Sequence, residues 1–496
     1  MEQLNYQTLK QQGYSGYYLE QAPERVLQFG EGNFLRAFVE DFIDQMNEKA
    51  GFNGKVVLCQ PIANGLADLI NQQQGLYNLY LRGMEQGQPV ERQRLISCVS
   101  RCINPYQDFQ SLLDCAANPE LRFIVSNTTE AGIVYDPACK LEDKPASSFP
   151  GKLTQFLYQR FLNKLPGFII LSCELIDNNG KELLACVKQY IDQWQLPAEF
   201  AQWVEEENQF CSTLVDRIVT GYPRQQAEQL CQQLGYQDNL LDTGEVFGFW
   251  VIEGPQSILQ EFPVQQANLP ILVVDDHTPY KKRKVRILNG AHTSMVLAAY
   301  LAGMDIVRDC MQDSVVRRYI ERTIQQEVIP TLPLPKQELA DFAAAVTDRF
   351  ANPYIDHSLL AISLNSTSKW RARVLPSLLD YNQKFGYLPR CIVFSFAAYL
   401  AFYHHGHTLE NGVLLANRGE QVYSIQDDAW VLEFFLAHHG DSKEQLVQAV
   451  CENQRMWGQD LSRIPGFADM VVQDLCQIEQ RGMYGAMQNL LEEDEQ

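Results

Sequence analysis

The stretch from Arg25 to Cys59 constrains the fold more than any other part of the chain. Arg25-Val-Leu-Gln-Phe29 is an apolar run of strand length that passes directly into Gly30-Glu31-Gly32-Asn33. From there Phe34, Leu35, Phe38, Val39, Phe42, Ile43 and Met46 recur at helical spacing, and Gly51 is placed to end the helix. Lys55-Val-Val-Leu-Cys59 reads as a second strand. This order makes a βαβ unit. A glycine pair at its strand-to-helix turn lets the backbone approach a pyrophosphate, whose charge the helix N-terminus stabilises. Phe29, Gly30, Glu31, Gly32, Asn33 and Phe34 are therefore candidate dinucleotide contacts. Two fingerprint positions depart from the usual pattern. Leu35 stands where a third glycine is common, and Gln60-Pro61 stands where an acidic residue would hold the adenosine ribose. The run alone therefore leaves NAD and NADP open, against the simpler reading of a tight turn.

Further apolar runs repeat the strand–helix alternation. Leu79 to Cys98, broken by Gln86-Gly-Gln-Pro89, predicts a hairpin insert. Leu121 to Val125, Gly167 to Leu171, Phe247 to Ile252 and Ile271 to Val274 read as strands, with helical patterns at 109–113 and 153–157. Such alternation predicts a mainly parallel, doubly wound sheet. After Lys284 long amphipathic patterns dominate, at Val315–Ile329, Gln337–Val346, Val393–Tyr403 and Glu444–Val450. The expected architecture is an α/β Rossmann-type N-terminal domain over 1–270 and a mainly α-helical C-terminal domain over 271–496. Ser126-Asn-Thr128-Thr129-Glu130-Ala-Gly132 follows the strand at 121–125, where such sheets place ligands. Thr128, Thr129 and Glu130 are thus added to the cofactor candidates, although Ser and Thr also cap helices.

Charge excludes some functions. A net charge of -21 argues against nucleic-acid and anionic-membrane partners, which need basic surface. No apolar run of membrane-spanning length appears. The 13 cysteines are scattered without a Cys-x-x-Cys, as expected for reduced thiols in a cytoplasmic protein, and Cys59, Cys173 and Cys391 sit in apolar segments. The acidic tail Glu492 to Glu495 reads as a solvated end.

Against this acidity, the basic cluster Lys281-Lys-Arg-Lys284 stands out, and it opens the run Lys284-Val-Arg-Ile-Leu-Asn289-Gly-Ala-His292. At roughly 100° per residue, Lys284, Leu288, Asn289 and His292 share one half of a helix surface. Polar groups on an otherwise apolar helix require mutual satisfaction or a ligand. Hydride delivery to a ketone develops charge on oxygen, so it needs a proton donor and prepositioned hydrogen-bond donors. A lysine ammonium, an Asn amide and an imidazole meet that need. A solvated basic face is the competing reading. His404-His405-Gly-His407 raises a metal-dependent sugar enzyme as an alternative, but no carboxylate or cysteine at ligand spacing joins it. A non-enzymatic sugar-acid sensor would keep the glycine turn and lose the acid–base residues.

These blocks resemble the mannitol dehydrogenase family, the polyol-specific long-chain dehydrogenases. The resemblance runs from Gln28-Phe-Gly-Glu-Gly-Asn-Phe-Leu-Arg-Ala37 through Ser126–Gly132, Ser212-Thr-Leu-Val-Asp-Arg-Ile218 and Lys284–His292 to Arg349-Phe-Ala-Asn-Pro-Tyr-Ile-Asp-His357. It implies metal-independent hydride transfer with Lys284 as general acid/base, Asn289 as oxyanion stabiliser and His292 as substrate ligand. It also implies substrate contacts from Asp216, Arg349 and His357, where polyol-specific members tend to have lysine at the last position. Mannitol-type members carry Ser-Cys-Asp-Asn, whereas this chain has Ser172-Cys173-Glu174-Leu175, then Ile-Asp-Asn-Asn179-Gly180. Leu175 cannot supply the second oxyanion donor. Cys-Glu-Leu-Ile-Asp is shared with the family's sugar-acid reductases. The implied reaction is NADH-linked reduction of the keto-hexuronate tagaturonate to altronate, with fructuronate or a mannitol-type polyol as the alternative. The implied protein is a monomer or small homo-oligomer with a small-molecule substrate. Lys281, Lys282, Arg283, Arg371 and Arg373 are open candidates for its carboxylate.

Overall fold

The computed structural model describes residues 1–129 and 131–492. Glu130 and the acidic tail beyond Glu492 lie outside the described residues. The chain divides into two compact units. One comprises 1–82 and 90–277, the other 83–89 and 278–496.

Apart from the hairpin tip 83–89, the first unit holds, in chain order, β1 (Glu24–Phe29), β2 (Lys55–Cys59), β3 (Tyr77–Glu85), β4 (Gln88–Ile96), β5 (Val99–Ile103) and β6 (Phe123–Ser126). They continue as β7 (Ile169–Ser172), β8 (Gln209–Asp216), β9 (Asp242–Glu245), β10 (Phe249–Glu253) and β11 (Ile271–Val274). Eight of them form one sheet in the order β11-β10-β8-β7-β6-β1-β2-β5. Pairing is parallel throughout except between β8 and β10, which run antiparallel. Strands β1, β2, β6 and β7 are buried along almost their whole length, which is why they read as continuous apolar runs. The three cysteines expected in apolar segments are buried, and all thirteen thiols are unpaired.

The helix after β1 spans Asn33 to Ala50 and stops at Gly51, whose left-handed φ of 64° makes it the expected cap. Its second turn is π-wound over Arg36–Glu40. Both ends of that turn are buried polar groups with fixed partners. Arg36 donates to the Leu240 carbonyl at 2.6 Å, and Glu40 accepts from Gln28 and Tyr77. The predicted hairpin is β3–β4. It turns at Gln86 and Gly87, both with positive φ, as a two-residue hairpin requires.

The second unit is mainly helical, and among the described residues no helix is long and apolar enough to cross a membrane. Its central helix Arg390–His404 is buried along nearly its whole length. It packs against the helices Gly290–Leu301 and Phe467–Glu492. One element of this mainly helical unit is not helical. A three-stranded antiparallel sheet, β12 (Gly406–Glu410), β13 (Val413–Arg418) and β14 (Gln421–Ile425), follows the central helix. Asn411-Gly412, both with positive φ, forms its first turn.

Candidate active site

In the first unit, the chain leaves β1 for β2 on one side and reaches β6 on the other, so the strand order reverses beside β1. Open α/β sheets take ligands at the carboxyl end of such a switch point. The glycine turn occupies it. Gly30 donates to the Cys59 carbonyl and Asn127 donates to that of Phe29, which ties the turn between its two neighbours. Gly30 has φ 116°, and a Cβ there would lie 3.0 Å from the Asn127 oxygen and 3.1 Å from Leu35 Cδ1. Leu35, in the third fingerprint position, is the floor on which this turn rests. Gly32 differs. Its backbone is ordinary, with φ −71°, and a Cβ would meet nothing within 4 Å. That open cradle at a helix start fits a pyrophosphate.

The second loop is held from β7. The Glu174 carboxylate accepts from the Ser126 hydroxyl and from both the backbone N–H and the hydroxyl of Thr128. Burial raises its pKa despite these bonds. Thr129 follows at φ 70° and is exposed, three residues beyond the carboxyl end of β6. Gln60 is taken by local structure, since it accepts from Ala67 N–H and donates to the carbonyls of Ile62 and Ala63. Asp216 ends β8, buried, four residues beyond the Ser212–Ser172 pair and so toward the carboxyl end of the sheet. Its neighbour Arg217 is structural, bound to Asp41 at 2.8 Å. Leu175 is 63% exposed. The nearby Asn179 amide is fully engaged, donating to the carbonyls of Glu174 and Thr213 and accepting from Thr213 N–H. Neither replaces the missing oxyanion amide.

The second unit holds the other constellation. The run expected to be α-helical is instead π-wound over Lys284–Asn289, with Gly290 N–H donating to Val285 O, five residues back. This corrects the angular argument. In an α-helix a residue lies nearly over its i+4 neighbour, whereas a π-turn places it nearly over i+5. Lys284 and Asn289, five apart, are thus brought onto one face more closely than α geometry allows. π-turns inside α-helices are frequent at functional sites. The helix Lys336–Phe350, which carries Arg349, packs on this run, as does the helix Ser366–Arg373.

His292 lies on the following turn. Its ring stacks on Phe350 with centroids 4.2 Å apart, and His357 meets it edge-on at 5.5 Å. Its Nε2 is buried and has no hydrogen-bond partner among the described residues. Burial, then the neighbouring His357 and the positive charges of Arg349, Arg373 and Lys369, push its pKa down to about 3. The imidazole is therefore neutral at ordinary pH. Burial, followed by Lys369, also lowers that of His357.

The basic cluster at 281–284 separates into different roles. Arg283 is buried over Phe342 and paired with Glu338 at 2.7 Å. Arg286 binds Ser377 and Asp380. Sequence reasoning missed Phe350, visible only inside the Arg349–His357 block, and Lys369, which no motif or pattern singled out. The histidine run ends the central helix and begins β12, and His407 is bound to Thr408. Among the described residues, the cluster able to offer three metal-ligating atoms is Glu253, Asp276 and His277, away from that run in sequence and with Glu253 also paired to Lys181.

The comparisons with known proteins agree with this division. Residues 24–266 match the mannitol dehydrogenase Rossmann domain and 276–479 the mannitol dehydrogenase C-terminal domain. Over 492 residues the chain is 45% identical to an altronate oxidoreductase of Yersinia pestis bv. Antiqua (strain Nepal516), covering 97% of this chain and 99% of that protein. It is 43% identical to one from Bacteroides thetaiotaomicron over 475 residues, 95% of this chain and 98% of the relative. Among solved structures, D-sorbitol dehydrogenase in substrate-free form aligns with a TM-score of 0.77 at 22% identity, over 95% of this chain and 96% of the other. Mannitol 2-dehydrogenase of Pseudomonas fluorescens aligns at 0.66 and 23%, over 99% of each chain. The chain belongs to the mannitol dehydrogenase family and is an NAD-dependent oxidoreductase acting on a CH–OH group.

Proposed function

We propose that the protein catalyses the reversible NADH-linked reduction of tagaturonate to altronate. The observation that carries this reading is the π-wound turn that aligns Lys284 with Asn289, with the neutral His292 ringed by cationic side chains. Relatives at 45% identity bear the name altronate oxidoreductase, in accord with a sugar-acid substrate. Gly30, Gly32, Asn33, Thr128 and Thr129 would hold the dinucleotide, which when bound supplies or accepts a hydride at the carbon bearing the oxygen.

The rest of the chemistry falls to this chain. As the ketone carbon gains hydride, charge develops on its oxygen. The Asn289 amide would donate to that oxygen, and the Lys284 ammonium would deliver the proton that completes the alcohol. One hydride and one proton are consumed, one alcohol is formed, and the reverse reaction uses Lys284 as base. His292, neutral, would offer Nε2 to a substrate hydroxyl, while Arg349, His357 and Asp216 would contact the remaining polar atoms. These groups meet the reaction's needs without a metal.

Initial rates with tagaturonate, fructuronate and fructose, each with NADH and NADPH, test the reading. Tagaturonate with NADH should give the highest kcat/KM, and activity should survive prolonged chelation. A higher kcat/KM on fructose overturns the sugar-acid assignment.

A further inference from the structure

An open-chain keto-hexuronate differs from a ketose in one decisive way, a carboxylate at the end of the chain remote from the ketone. No residue has been assigned to it. Five cations were open from sequence. Arg283 is committed to Glu338, Lys281 has a partner of its own, Lys282 and Arg371 are exposed, and Arg373 stands apart from these.

Arg373 ends the helix Ser366–Arg373, whose backbone touches the catalytic run. The site a Gly290 Cβ would occupy is 3.1 Å from the Arg373 carbonyl oxygen, so the end of this helix sits directly beside Asn289 and the turn carrying His292. Lys369 lies four residues earlier and therefore on the same helix face. Both side chains are half-buried. Arg373 makes no side-chain hydrogen bond or ion pair among the described residues, and Lys369 donates only to the Ile362 carbonyl, at 2.9 Å. The acid bearing on Lys369, Asp427, is occupied in receiving Thr367 N–H, the Thr367 hydroxyl and the Tyr403 hydroxyl, and it forms no ion pair with the lysine. Two partly desolvated cations on one face without a counter-ion are costly unless an anion joins them. Loss of water lowers the pKa of both groups, and the proximity of Arg373 lowers that of Lys369 further. The buried, unpartnered Nε2 of His292 lies in the field of the same two charges.

We propose that Lys369 and Arg373 form the carboxylate-binding pole of the substrate site. Arg373 grips the two oxygens with its planar fork and Lys369 adds a point charge, so that this pair selects a sugar acid over a neutral ketose. The proposal rests on the keto-hexuronate reading above. It concerns binding only, and both residues are specificity residues.

The test compares Lys369→Gln, Arg373→Gln and Arg373→Lys with the wild type on tagaturonate and on fructose, with NADH binding followed by fluorescence. A charge-assisted contact to carboxylate predicts a roughly ten- to hundredfold rise in KM for tagaturonate in each Gln variant. The same variants should leave kcat/KM for fructose within about twofold of wild type, since only a carboxylate contact is removed. Arg373→Lys, which keeps the charge but loses the fork, should fall between. NADH affinity should not move. Equal losses on both substrates would show a structural role and overturn the proposal, as would an unchanged KM for tagaturonate in the Gln variants of a wild-type enzyme that reduces it. A wild type that prefers fructose overturns the substrate reading and this pole with it. These failures are distinguishable because the first two appear in variants and the last in the wild type.

Discussion

His292 lies flat on Phe350, with 15° between the ring planes, and this contact orients a nitrogen that no other described residue satisfies. A histidine with its pKa pushed down to about 3 neither donates a proton to the reaction nor titrates across the working range. Its contribution is to hold a hydroxyl in place. His292→Gln should therefore lower kcat/KM roughly tenfold, the size of one hydrogen bond to substrate, with the shape of the pH–rate profile retained. Phe350→Leu keeps most of the volume and loses the flat surface, so it should raise KM with little change in kcat. Loss of a limb of the pH profile in His292→Gln would show that the imidazole titrates after all.

Lys284 carries the proton in this scheme. Lys284→Ala should reduce kcat by about 10²- to 10⁴-fold while NADH still binds, as expected when a general acid is removed and the cofactor site is untouched. Lys284→Arg should not restore the rate, because a guanidinium does not release its proton in this range. Steady-state rates beside fluorescence titration of NADH separate the two effects. Normal turnover by the alanine variant would sink the mechanism.

The two glycines of the turn make opposite predictions. Gly30→Ala forces a side chain onto a left-handed backbone and against the Asn127 carbonyl and Leu35, so it should lower the melting temperature and weaken NADH together. Gly32→Ala meets no protein atom and needs no backbone change. It should fold with wild-type stability and lose NADH affinity by tenfold or more, about the cost of holding a pyrophosphate away from the helix start. Wild-type NADH affinity in Gly32→Ala would remove the turn from the cofactor site.

What was legible in the sequence follows the strength of each physical signal. The βαβ unit was readable because β1 and β2 are buried on both faces and the intervening helix has one apolar stripe, closed by Gly51. Strand β8 was legible only as a motif block, since its Ser, Thr and Asp residues obscure the alternation. The sheet at 406–425 was missed although Asn411-Gly412 is a strong hairpin signal, because the preceding helical pattern dominated. The π-wound turn at Lys284 was out of reach. Val285, Ile287, Leu288 and Ala291 fit an apolar face under either winding, so hydrophobic spacing does not separate i+4 from i+5. Lys369 was hidden for a different reason: only the packing of its helix on Gly290 brings it to the site.

Asp242 provides a test of the first unit alone. It is fully buried, 3.7 Å from Arg36, and its Oδ2 has no hydrogen-bond partner among the described residues. Burial raises its pKa from 3.8 to about 7, with Arg36 opposing the shift. Burial also raises the pKa of the neighbouring carboxyls Glu40 and Asp238. Between the unfolded and folded values the native chain keeps a proton that the unfolded chain releases. Stability from this residue is thus greatest below pH 3.8, falls as pH rises toward about 7, and is level above it. The loss across that window amounts to about 4 kcal/mol at most for a shift of this size. Asp242→Asn cannot ionise, so its denaturant midpoint should decline less than that of the wild type between about pH 5 and about pH 8. Parallel declines in the two proteins would mean that Asp242 is already ionised in the folded chain at about pH 5, with Arg36 outweighing its burial.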